Sequence, residues 1–308
     1  MGTFVCGACV TPPVSSEAAK ALQLPPTLKV PPSLDEMKNA TYSGLAEIPG
    51  TVTLENGRWT GPPSAPGAAS RPIVELAGDF RVLGDLDGDR FEEAVAVLTY
   101  SSGGSASLSY LAVMSRQNGS VRNIATAGLG DRVQLRSVRT DNGKLLVSAV
   151  RAGTGDAACC PGELVEWQWT LSGDRLTTPG AVQTGRLSLA TLGGTEWAFR
   201  AWDVTEPFGL DPVVTLVYDG GRFSGTSGCN RYSGGVTEGA VPGELTVGLF
   251  AGTRMACAPA QSSVEARFLE QLSGAKKYGF MLGRLMISYT RANGTRGTML
   301  FDPRTPSK

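Results

Sequence analysis

The 308-residue sequence contains no histidine. Without imidazole there is no Ser-His-Asp or Cys-His nucleophile system, no histidine-bearing zinc site and no imidazole switch near neutral pH. The commonest hydrolase mechanisms are thereby excluded, and only Lys, Tyr, Cys and paired carboxylates remain as catalytic groups. Charge is also scarce. Asp, Glu, Lys and Arg make up 18% of the chain, and 28 acidic side chains balance 28 basic ones. A nucleic-acid binder carries a basic excess that meets the phosphates, so no nucleic-acid partner is expected. No run of about 18 apolar residues occurs, so no membrane-spanning helix is expected. What is abundant is glycine and proline, 40 and 19 residues respectively. Such a bias marks many turns and short strands. With 41% hydrophobic residues over this length, two domains with their own cores are expected.

The chain opens with MGTFVCGAC, small and apolar but lacking Lys and Arg. Gly7-Ala8-Cys9 resembles the small-small-Cys end of a bacterial lipoprotein signal. Residues 1–9 therefore read as the remnant of such a signal, with Cys9 the lipidation site and the true start further upstream. Residues 10–35 carry three Pro-Pro pairs and read as a tether of intermediate stiffness. The other reading is a cytosolic terminus with two incidental thiols. Cys6 and Cys9 also have CxxC spacing, but without the βαβ context of a redox motif.

From Leu34 the texture changes. A short helix at 34–39 precedes strand-like pieces separated by Asn56-Gly57, Asp87-Gly88, Asn118-Gly119 and Asn142-Gly143. Such pairs adopt the positive φ that tight hairpins need. Strands are expected at 73–76, 94–100, 107–115, 133–139, 145–151 and 164–171. The unbroken apolar run Ala94–Leu98 predicts a strand covered on both faces. Residues 36–183 read as one mainly antiparallel domain, with 177–185 as a linker and 187–303 as a second domain. In the latter, Val264, Phe268, Leu269 and Leu272 predict one amphipathic helix over 261–273, capped by Ser262 or Ser263 and ended by Gly274. The fold class is α+β and mainly antiparallel, the helix covering a curved sheet.

Asp85, Asp87, Asp89 and Glu93 occupy positions 1, 3, 5 and 9 of an acidic loop. Alternate carboxylates in a tight loop direct oxygens at a hard cation, and calcium is the expected metal. Position 6 is Arg90 and position 12 is Ala96, so the loop is not an EF-hand. The competing reading is a solvated acidic turn. Four further cysteines, Cys159, Cys160, Cys229 and Cys257, suit an oxidising compartment and allow three pairings. Cys159 and Cys160 form a vicinal disulfide, or one of them cross-links elsewhere. A Cu(I) site using Met255 would need clustered methionines, which the sequence lacks. Trp167 and Trp169 share one strand face and read as core.

The block Thr226-Ser227-Gly228-Cys229-Asn230-Arg231-Tyr232-Ser233-Gly234 resembles the META domain, also called the heat-shock-protein-HslJ-like domain. Gly194-Thr195-Glu196-Trp197 precedes it, and Thr253-Arg254-Met255-Ala256-Cys257 follows, in the family's order. The resemblance spans 187–303. It implies one helix against a strongly bent antiparallel sheet, and a bacterial envelope protein, often a lipoprotein, without an agreed ligand or chemistry. Cys229 and Cys257 are then expected to be bridged on compartment, against two buried free thiols. The segment Gly84–Ala94 looks like the acidic hairpin of FG-GAP-type repeats and, with Cys159-Cys160-Pro161, like the region preceding META domains in bacterial lipoproteins.

The expected function is therefore a non-catalytic envelope lipoprotein, outer-membrane and facing the periplasm, or secreted. It touches the membrane through its lipid only, and binds or buttresses another envelope component, with a role in stress or antibiotic tolerance. The alternatives are a calcium-dependent adhesion module and a histidine-free envelope hydrolase.

Overall fold

The computed structural model describes residues 30–63, 69–157, 159–209 and 211–304. Cys6, Cys9 and residues 10–29 of the expected tether lie outside the described residues.

The first half is a layered β structure. Its main sheet runs in the order Arg58–Thr60, Ile73–Leu76, Glu93–Ser101, Leu108–Gln117, Ser120–Asp131, with Val82–Gly84 also on Glu93–Ser101. The run Ala94–Leu98 is covered on both sides, as its composition predicts. Val95 and Val97 face one core, with Leu145, Trp167 and Trp169. Ala94, Ala96 and Leu98 face another, with Met37, Tyr42, Val52 and Leu54. Strand alternation thus divides one apolar run between two cores.

The second core is closed by the helix Leu34–Lys38 and the hairpin Thr41–Ser43/Thr51–Thr53. Ser33 and Glu36 form a reciprocal capping box at the helix start. Arg116 donates to Glu36 at 2.7 Å, tying that start to the main sheet.

The first core is closed by a second sheet, ordered Arg175–Thr177, Glu163–Ser172, Lys144–Arg151, Gln134–Asp141. Here the linker expected at 177–185 is corrected. Gly180 takes φ 116° after Pro179, and the chain returns along Val182–Arg186, which pairs with Glu163 to Glu166. The segment reverses onto a free sheet edge, so backbone hydrogen bonds absorb it into the first half.

The second half is one nine-stranded antiparallel sheet. Its order is Leu245–Gly252, Arg231–Glu238, Arg222–Thr226, Thr215–Asp219, Glu196–Trp202, Arg296–Arg304, Arg284–Thr290, Ala275–Met281, with Glu206–Pro207 on Glu196–Trp202. The end strands meet: Glu244 bridges Lys277, and Tyr278 N donates to Gly243 O at 2.8 Å. The sheet therefore curls almost into a barrel. Curling brings backbones close, and at Gly225 any Cβ would lie 2.1 Å from the carbonyl oxygen of Thr215. The helix Pro259–Ser273 drives Phe268 and Leu272, both fully buried, into the barrel beside Phe199, Tyr232 and Phe301. It begins two residues before the expected start. Pro259 supplies a helical φ at the first position and Ala258 is the N-cap, displacing Ser262 and Ser263 from that role. Gly274 ends it as expected.

The halves are docked. Val150 and Leu164 of the first half belong to the core of the second. Phe280 N donates to Gln134 Oε1 at 3.0 Å, Gly283 N donates to Leu135 O at 3.0 Å, and Arg136 lies over the Phe280 ring.

Candidate functional site

The acidic loop brings three of its four carboxylates together. One oxygen each of Asp85, Asp87 and Asp89 lies within 4.8 Å of the others. The backbone holds them so: Asp85 accepts from Gly88 N at 2.7 Å and Arg90 N at 3.0 Å, Asp87 from Asp89 N at 3.0 Å, and Asp89 from Phe91 N at 2.9 Å. Glu93 is the correction. It is 1% exposed and accepts from Leu86 N at 3.0 Å. It opens a strand on the same face as Val95 and Val97, so it is buried beneath the loop, reaches back to Leu86, and is not one of the three clustered carboxylates. Desolvation raises its pKa, aided by the charges of Asp87 and Asp89 and opposed by hydrogen bonds from Leu86 and Ser115.

A cleft of about 430 Å³ separates the outer face of the nine-stranded sheet from the end of the sandwich. Val97, Val133 and Leu135 supply one wall, and Ala201, Phe280 and Leu300 the other. Arg200 and Arg284 stand at its rim and share one carboxylate, Asp302, at 3.7 and 2.9 Å. Asp79 also lines the cleft, so two guanidinium groups stand with two carboxylates and the rim is mixed in charge. Val204, also lining the cleft, is 64% exposed despite being apolar.

The Gly228–Gly234 block is a clamp. Cys229 and Cys257 are bridged, with Cα atoms 6.1 Å apart. Asn230 is buried and fully used. Its N and Nδ2 donate to the Glu265 carboxylate at 2.9 and 3.1 Å, and its Oδ1 accepts from Thr253 Oγ1 and Met255 N, each at 2.8 Å. Ser227 Oγ donates to Glu265 at 2.6 Å, and Tyr232 OH to Thr215 O at 2.8 Å. Burial pushes the Glu265 carboxyl up, but the bonds from Ser227 and Asn230 outweigh it and leave its pKa below the ordinary value. The clamp fixes the 253–257 loop and the helix to the sheet, and its polar atoms face one another.

A family model described as the META domain matches residues 190–302. The C-terminal barrel is a META domain. Part of the chain is also similar to a protein from Burkholderia xenovorans solved by NMR, at 27% identity over 41% of this chain and 94% of that one, with a TM-score of 0.30. No curated protein matches.

Between the META domain and the sandwich lies a second, smaller pocket of about 140 Å³, holding Cys159 and Cys160. The expected vicinal disulfide is absent: both cysteines are free, Cys159 exposed and Cys160 buried. The reason is geometric. Neighbouring Cα atoms sit about 3.8 Å apart, inside the roughly 4.4–6.8 Å that an unstrained disulfide spans. Their loop is held by Asp156, which accepts from Gly153 N and Gly162 N, both at 2.8 Å, and from both Arg186 nitrogens at 3.1 and 2.5 Å. The Arg186 guanidinium is the main cause holding the Asp156 carboxyl down to about 2. Lys277 of the META domain donates to Cys160 Sγ at 3.4 Å. Sequence reasoning did not find Lys277, Arg200, Arg284 or Asp302. No motif links them, and only the docking of the halves makes them neighbours of these pockets.

Proposed function

We infer that this chain is a non-catalytic component of the bacterial cell envelope, and that it binds another envelope component in the cleft between its two halves. The observation that carries the reading is the cleft itself: apolar walls from both halves, a rim of charged groups at Asp79, Arg200 and Arg284, and an exposed apolar Val204. Ligand sites favour such junctions, with an apolar lining and few polar groups. The META domain supports the envelope setting, because its family is associated with it. The absence of histidine and the internal use of the signature block's polar groups support binding without chemistry. Lipid on Cys9, followed by the Pro-rich stretch, would hold the protein at the membrane, where a stress or antibiotic-tolerance role fits.

A photoreactive amino acid at position 204, used in living cells, tests this. Discrete cross-linked envelope species are expected from 204 and none from position 118, a remote hairpin turn. Equal labelling from both positions, or none from 204, removes the cleft reading.

Asp85, Asp87 and Asp89 favour a second reading, a calcium-dependent adhesion module. The oxygen-only donor set suits calcium, but three carboxylates fall short of its six to eight ligands, so carbonyls or water would complete the shell. Calcium at a hundredfold excess over its dissociation constant would stabilise the fold by about 2.7 kcal/mol. A melting temperature raised by millimolar calcium in the parent, but not in Asp87→Ala, supports it; indifference of the parent ends it.

A further inference from the structure

The geometry points to a soft-metal site at the junction of the two halves, in which Cys159, Cys160 and Met286 take one monovalent, copper-class ion and Lys277 supplies the counter-charge. All four line the same small pocket. The cysteines come from the first half, and Met286 and Lys277 from neighbouring strands of the META domain.

The donor set selects the ion. Three sulfur-bearing residues line the pocket with no carboxylate, and the chain has no histidine. Hard cations require six to eight oxygens, and structural zinc takes four nitrogen or sulfur ligands in a tetrahedron. Thiolate and thioether sulfur suit Cu(I). Charge agrees: two thiolates and one monovalent ion carry a net negative charge, and the Lys277 ammonium 3.4 Å from Cys160 balances it. Binding releases both thiol protons to solvent and breaks no other bond. The ion arrives as Cu(I), so no electron is transferred.

Two further features make this a built site. The loop is preformed, because Asp156 pins Gly153, Gly162 and Arg186 around it. The thiols are also kept available: Cys229 and Cys257 are bridged, whereas adjacency disfavours the Cys159–Cys160 bond. Met255 is exposed beside bridged Cys257 and finds no free thiol there.

The test uses the full chain carrying Cys6→Ser and Cys9→Ser, since those thiols also attract Cu(I). Under anaerobic conditions Cu(I) is offered together with a chromophoric Cu(I) chelator. The protein is expected to withdraw one equivalent, with only sulfur around copper in X-ray absorption. Adding Cys159→Ser and Cys160→Ser should abolish uptake. Met286→Leu and Lys277→Gln, which keep both thiols, should each weaken it roughly tenfold. Uptake unchanged in the serine variant, no uptake by the parent, or nitrogen and oxygen ligands around copper would each overturn the site. Should the serine variant not fold, undiminished affinity in Met286→Leu and Lys277→Gln overturns it instead.

Discussion

Two buried amides in the META domain show why burial alone does not reveal a side chain's worth. Asn230 places both its amide groups on partners, joining Glu265, Thr253 and Met255. Gln271 is equally hidden, at 0% exposure, yet neither Oε1 nor Nε2 has a partner among the described residues. A buried amide without hydrogen bonds costs about 1–3 kcal/mol. On the helix it sits between Phe268 and Leu272, whose surroundings are aromatic and aliphatic. Gln271→Leu, of similar volume, should therefore stabilise the protein by about 1–2 kcal/mol. Asn230→Ala should destabilise it by at least as much, because it removes one donor to Glu265 and leaves the Thr253 hydroxyl and the Met255 amide without their acceptor. Thermal melting of the two variants reads the opposite signs. A lowered melting temperature for Gln271→Leu would mean that its amide is satisfied in solution.

At the scale of elements, what the sequence revealed depended on whether a face was buried. The strand at 94–98 is legible because both its faces are buried, so its composition is apolar throughout. The helix at Pro259–Ser273 is legible because one face enters a core and sets a 3.6-residue period. Ser120–Asp131 and Val182–Arg186 were missed for the converse reason. The first buries only Ala125 and Leu129 along twelve residues, and the second has no buried residue at all. Both are held by backbone hydrogen bonds along a neighbour, and those leave no mark in side-chain pattern. The acidic loop was legible as far as its turns reach. Asp85, Asp87 and Asp89 alternate inside the turn, so spacing in sequence becomes spacing around a point. Glu93 lies past the turn, where strand parity decides, and parity sends it inward. The bridge between Cys229 and Cys257 was expected from compartment and resemblance. The cleft was beyond sequence reasoning, since Val97, Leu135, Arg200, Arg284 and Leu300 lie far apart in the chain and share no spacing rule.

In the whole molecule, the two halves meet as one folded unit. Val150 and Leu164 complete the core of the META domain, and Gln134 and Leu135 accept hydrogen bonds from Phe280 and Gly283. Both pockets exist only while this junction holds, because each takes a wall from either side. The junction is tight at Gly162, where an added Cβ would lie 2.5 Å from the Pro242 ring and 2.8 Å from Arg186 Nη2. Pro242 is confined by its own ring and cannot swing aside as a long side chain would. Gly162→Val should therefore push the halves apart while leaving each core intact. The parent should melt in a single cooperative transition, because its halves share buried residues. The variant should melt in two, the earlier one lower by several degrees, and should lose cross-linking from position 204. Gly235→Ala supplies the control, since a Cβ there meets nothing within 4 Å, and it should melt like the parent. A single, unshifted transition in Gly162→Val would show that the junction contributes little to the cooperativity of the fold, and that the cleft persists without close contact at Pro242.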